Sequence, residues 1–219
     1  NGRSKPMKNC YKELPAGYRE AMSYDVKTAR TGILMNVASI FIAVLVYLIL
    51  DFSIFGRLVV IDFFTPDKTA GDLWLQKYLV RIAVGISFFV VGFFVCVFVS
   101  QLLQAVFARL LTGEKSKVGA SWSAVYVDSS QLYTTEKVTV IPLFATMAIV
   151  SVPLIAGMVL CNSSTWGLLF RTVFSAYIGA LADGYFMLIL FIFVFRKGCL
   201  IKDEKTKHTF YVKSDNERS

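Results

Sequence analysis

Four long runs of apolar residues, parted by shorter polar stretches, organise this chain: Gly32 to Leu50, Ile82 to Leu111, Val138 to Leu160 and Leu168 to Phe195. Each meets or exceeds the roughly 18 to 20 residues that carry a helix across about 30 Å of hydrocarbon at about 1.5 Å per residue. The pattern predicts an all-α integral membrane protein with four transmembrane helices. The second run, about 30 residues and so roughly 45 Å long by helical rise, is too long for the hydrocarbon alone, and its inner end must tilt or protrude. The third carries Pro142 and Pro153, which predict a kink or a late start.

The stretches between the runs differ in kind. Residues 1–31 include Leu14-Pro15-Ala16-Gly17-Tyr18 and a charged stretch, and predict a turn and a short interfacial segment with no domain of its own. Asp51 to Tyr78 holds Pro66, Gly71 and several aspartates, and reads as an outer connection. Its Phe52, Phe55, Phe63, Phe64 and Trp74 suit headgroup level. Between the second and third runs, Val118 to Val127 alternates small or polar residues with bulky ones behind Thr112-Gly113, predicting a short strand or hairpin. The membrane domain therefore spans 32–195, and 196–219 is a basic tail with one short strand, Thr209 to Val212.

Composition agrees: 56% hydrophobic residues and a mean hydropathy of +0.60 exceed what one small core uses. The net charge of +8 could indicate nucleic acid, but the distribution of cations points elsewhere. Seven Lys/Arg precede the first run and seven follow the last, and the middle connection adds Arg109, Lys115, Lys117 and Lys137. That is the positive-inside pattern, which puts both termini and the middle connection on the cytoplasmic side of the cell membrane, with lipids as the surrounding partner and no nucleic acid. The first run has no convincing cleavage site before Asp51 and should stay in the mature protein, and Met7 is a candidate initiator after Asn1 to Pro6. Cys10, Cys96, Cys161 and Cys199 are scattered over both sides and the interior and predict no structural disulfide. Asn162-Ser163-Ser164 has the form of a glycosylation sequon, close to the membrane.

Candidate chemistry is confined to two runs. In the second, Ser100, Gln101 and Gln104 fall within about 100° of one another at about 100° per residue, and Cys96 joins them one turn earlier. Such a face commonly hydrogen-bonds a neighbouring helix, for about 1 kcal/mol per contact. In the fourth, Asp183 stands among apolar and aromatic residues, where a carboxyl costs roughly 2.5 to 3.5 kcal/mol on insertion scales and must face the bundle. Arg171 is three turns away on the same helix, so a partner has to come from another one. Gln104 is the candidate, hydrogen-bonded to a neutral Asp183.

The opening Leu14-Pro15-Ala16-Gly17-Tyr18 ahead of a long span, the proline-containing third span, the acid of the fourth and the ending Leu200-Ile201-Lys202-Asp203 before a short apolar-aromatic segment together resemble a known family. It is the DUF3267 family of bacterial membrane proteins, classed as zincin peptidases, and the likeness runs over nearly all of residues 13–212. The resemblance implies a membrane-embedded zinc site built on His-Glu-x-x-His in the second span. Aligned by Ala105-Val106-Phe107-Ala108-Arg109-Leu110-Leu111, that motif falls on Ser100-Gln101-Leu102-Leu103-Gln104, so both histidine positions and the glutamate position are replaced. The family's fourth-span acid corresponds to Asp183, with Ala182 where a glycine usually precedes it.

Ser and a neutral amide are poor zinc ligands, and Gln101 has no basic lone pair with which to deprotonate water. The single histidine, His208, lies in the tail, and Cys96 with Asp183 falls short of a stable zinc set. No metal, cofactor or intact catalytic residue is expected, although zinc belongs to the family. Ser100, Gln101, Gln104 and Asp183 are then a degenerate site in a noncatalytic relative that binds a transmembrane segment or peptide. The competing expectations are an active membrane hydrolase of unrecognised chemistry and a small transporter or ion pathway using Asp183.

Overall fold

The computed structural model describes residues 9–55, 74–114, 117–121, 124–128, 131–161, 165–195, 198–204 and 207–214. The chain is mostly helical, with a small sheet. Helix α1 runs Ala29–Phe55, α2 Trp74–Thr112 and α3 Glu136–Leu160. Each is long and apolar enough to cross a membrane. Helices α4 (Thr165–Ala180) and α5 (Ala182–Ile189), the latter continued by a π-helical turn Leu190–Phe195, qualify as a fourth when taken as one broken span. The first three predicted runs fall within α1, α2 and α3, and the fourth is interrupted at Leu181. Helix α3 continues through both Pro142 and Pro153 without interruption.

Two compact units divide the chain. One comprises Asn1–Val37, Phe98–Met147 and Ala182–Ser219, the other Ala38–Val97 and Ala148–Leu181.

The first unit holds what the hydrophobic pattern missed. Strands β1 (Cys10–Tyr11), β2 (Tyr18–Asp25), β5 (Tyr133–Thr135), β6 (Leu200–Glu204) and β7 (Lys207–Lys213) form an antiparallel sheet in the order β1-β5-β6-β7-β2. The N-terminal segment, read as a turn, is thus two edge strands, and the tail is a hairpin rather than a single strand. Leu14-Pro15-Ala16-Gly17 carries the chain from one edge to the other. Gly17 takes a positive φ of 84°, which a side chain would disfavour, and its carbonyl accepts from the Ser214 amide at the end of β7. Beneath the sheet, Tyr24, Ile201 and Phe210 pack with Met187, Leu190 and Phe191. Phe210 is fully buried, stacked on Phe195 and edge-on to Phe191. The predicted hairpin between the second and third spans is present as β3 (Lys117–Ser121) paired with β4 (Ala124–Asp128).

Local signals fix the helix ends in this unit. Thr28 caps α1: its carbonyl accepts the Gly32 amide, and its hydroxyl donates to the Asp25 carbonyl. Gly113 ends α2 with φ 76° and donates its amide to the Arg109 carbonyl, the left-handed stop expected of glycine just past a helix.

The second unit is purely helical in its described part. A Cβ on Gly179 of α4 would run into the Ser39 carbonyl and Ala43 of α1, so the small residue sets that approach. Gly157 of α3 faces the Phe170 ring in the same way, and Phe88 packs edge-on against both Trp166 and Phe170. Asp51, expected in an outer connection, lies inside α1 and is fully buried against Arg171 of α4. Its charge ends the apolar pattern in the sequence without ending the helix, because the guanidinium neutralises it. Phe52 also belongs to α1, and Trp74 and Tyr78 to α2, whereas Phe63, Phe64, Pro66, Gly71 and the sequon Asn162-Ser163-Ser164 lie outside the described residues. Along α1 and α2, large apolar side chains such as Ile33, Phe41, Leu79, Val91 and Phe94 are exposed, as lipid-facing positions would be.

Candidate functional site

Strand register, more than helix spacing, builds the polar centre. Tyr24 of β2 pairs with His208 of β7, and His208 with Asp203 of β6, so the three side chains stand in one row on the same face of the sheet. β7 is bonded on both sides, which makes it a rigid mount for the imidazole. Helix α5 brings Asp183, in its first turn, to the same place.

The contacts form a chain. Nδ1 of His208 lies 2.6 Å from Asp203 Oδ1, and Nε2 lies 3.4 Å from Asp183 Oδ2. The Tyr24 hydroxyl donates to the other oxygen of Asp183 over 3.0 Å. The imidazole side chain is only 12% exposed, Asp203 is 22% and Asp183 37%, so the ring is the sheltered middle of a chain with more open ends. Burial works against a charged imidazole, but the carboxylates of Asp203 and Asp183 outweigh it and hold the His208 pKa up at about 10. His208 is therefore an imidazolium at neutral pH, donating from both nitrogens. Burial, reinforced by the neighbouring Asp183 carboxylate, raises the Tyr24 phenol and keeps it a donor.

This arrangement corrects the expected partner of Asp183. No hydrogen bond joins Asp183 to Gln101 or Gln104 among the described residues, and its cationic neighbour is a histidine from the tail. Ser100 is buried on α2, while Gln101 and Gln104 are half-buried on the same helix. All four predicted residues belong to one compact unit, yet the contacts of Asp183 run to the sheet. Tyr24, Asp203 and His208 were not singled out by sequence reasoning. A signal existed: Leu200 to Asp203 and His208 to Val212 are two apolar-alternating runs separated by Glu204 to Lys207, the form of a hairpin that sets Asp203 beside the single histidine.

The donor chemistry does not suit zinc. Both imidazole nitrogens already face carboxylates on opposite sides of the ring, leaving no free lone pair, and no group of three or more His, Cys, Asp or Glu among the described residues is placed to hold a metal ion. The positions that the family resemblance would give to the two histidine ligands carry a hydroxyl and an amide, and the position of the glutamate base carries a second amide.

A second acid–base contact lies in the helical unit. Arg171 Nε and Asp51 Oδ1 are 3.3 Å apart, with both side chains sealed at 1% and 0% exposure, and the Tyr47 hydroxyl, one turn before Asp51, adjoins both. None of the four cysteines is in a disulfide: Cys10 and Cys199 are buried in the sheet unit, where burial raises both thiols, Cys199 to about 12.

No known protein family, curated protein or solved structure matches the chain.

Proposed function

We propose that the chain is a noncatalytic membrane protein: a four-span relative in layout of membrane-embedded zinc peptidases, with both termini cytoplasmic, that binds a transmembrane segment or peptide without cutting it. The observation that carries this reading is the engagement of Asp183. The acid that would complete a metal site instead receives its positive charge from His208 and a hydrogen bond from Tyr24. Replacement of the hydrolytic motif by Ser100, Gln101 and Gln104 supports the same reading, since none of these groups can generate a hydroxide nucleophile. The basic residues at both ends and in the middle connection support the orientation.

The test places a photoreactive residue at position 101 or 104 of the full chain in proteoliposomes containing a panel of synthetic transmembrane peptides. Saturable crosslinking to at least one peptide, which mass spectrometry finds intact, is the expected result. Peptide cleavage, or about one equivalent of transition metal retained by the purified protein and lost on Asp183→Ala, would replace this reading with an active hydrolase.

A further inference from the structure

We infer that α5, the second part of the broken fourth span, is seated on the sheet by a proton-linked latch: His208 holds its bridging proton while α5 is docked and binds it less tightly when α5 leaves. The inference does not rest on the proposed binding function.

Three observations carry it. First, the two sides of the contact differ in rigidity. β7 is hydrogen-bonded to β6 and β2 along its length, whereas α5 is eight residues bounded by a break at Leu181 and a π-helical turn at Leu190–Phe195. Interruptions of this kind are where helices change direction. Second, the polar contacts between α5 and the sheet converge on one carboxylate: the Tyr24 hydroxyl meets one oxygen of Asp183 and His208 Nε2 the other. Other contacts of α5 are Phe186 edge-on to Tyr24, Met187 in the core, Gly184 close against Leu143, and Tyr185 donating to Met147 sulfur at 3.6 Å. Third, the titratable groups facing the imidazole come from every element around it: Asp203 from β6, Asp183 from α5 and Tyr24 from β2. Glu136, at the start of α3, is instead engaged by the Gly198 amide, and Arg19 is several positions further along β2.

The sign follows from linkage. Asp203 stays beside Nδ1 whether α5 is docked or not, so the change on undocking is the contribution of Asp183. The docked state binds the imidazole proton more tightly, and rising pH must therefore favour undocking. Each pH unit of proton affinity supplied by Asp183 corresponds to about a tenfold change in the docking equilibrium.

Because His208 is the only histidine, ¹⁵N-histidine NMR of the full chain in nanodiscs reports this one ring without assignment. The expected midpoint lies near 10 and falls by at least about one unit in Asp183→Asn, which keeps the shape and removes the charge. In parallel, amide exchange corrected for its intrinsic pH dependence should show residues 182–189 losing protection by about fivefold or more between pH 7 and 10, while β6 and β7 keep theirs. Asp183→Asn and His208→Gln should lower the protection of 182–189 at pH 7 and flatten its pH dependence. A wild-type midpoint near 6.5, a midpoint that Asp183→Asn leaves in place, or protection of 182–189 that holds to pH 10 or falls together with the sheet each overturns the latch. The wild-type titration and the wild-type exchange profile together decide the matter even where a variant does not fold.

Discussion

Two of the acid–base contacts among the described residues, Arg171 with Asp51 and His208 with its two carboxylates, are built on opposite plans. In the helical unit, Arg171 and Asp51 are closed off from solvent on both sides. In the sheet unit, His208 is sheltered while the carboxylates at its two ends are partly open. Arginine keeps its charge at any workable pH, so the sealed pair is a permanent joint between α1 and α4. Imidazole is the side chain suited to change charge, and the carboxylates at the ends of its chain are less enclosed than the sealed pair. Enclosure thus accompanies the fixed charge, and partial access accompanies the titratable one.

The largest effect should come from breaking the sealed pair. Arg171→Ala removes the guanidinium from the fully buried Asp51 carboxylate and is expected to cost about 3 to 5 kcal/mol, read as a fall in the unfolding midpoint in detergent. The double change Asp51→Leu with Arg171→Met removes both charges and should recover most of that loss. A double variant as unstable as the single one would show that the pair holds more than its own charges. Next in size is Gly179→Leu, expected to destabilise by about 1 to 3 kcal/mol through overpacking, because the new side chain meets backbone on α1 that has no rotamer to yield. Wild-type stability in that variant would mean that α1 and α4 approach less closely than the contact with Ser39 and Ala43 implies.

His208→Gln probes the titratable contact and should leave a different signature. A folded-state pKa of about 10 against an ordinary value of about 6.5 means that the stability His208 contributes is complete below about pH 6.5 and fades as pH rises toward 10. The difference in unfolding free energy between wild type and His208→Gln is thus largest near pH 6 and shrinks by pH 10. A difference that grows with pH would reverse the assigned sign.

The helices were legible in the sequence because lipid-crossing runs advertise themselves over about 20 consecutive residues. The sheet was not, since its strands are short, come from both ends and the middle of the chain and acquire their register only from one another. Asp51 misled for a related reason: a lone charge reads as the end of a span unless its partner, 120 positions later at Arg171, is already known. Asp183 was visible as an acid in need of company. Its company was sought on α2 because helix spacing can be read from one segment, whereas pairing of Tyr24, His208 and Asp203 depends on two separate strand registers. The hairpin β3–β4 was readable because alternation, turn and strands all lie within a dozen residues.

The smallest effect tests that last distinction. Gln104→Leu removes an amide from the face of α2 that the sequence offered to Asp183, and Gln104 is half-buried. If Gln104 were the partner of Asp183, its loss would leave a membrane-embedded carboxyl unsatisfied and shift the His208 resonance along with the stability. With Tyr24 and His208 already occupying both oxygens of Asp183, the expected cost is below about 1 kcal/mol, the range of a single interhelical polar contact, with the His208 midpoint unchanged. Measured beside Asp183→Asn, which is expected to move that midpoint by at least about one unit, Gln104→Leu separates a residue that helix spacing offers to the site from one that belongs to it.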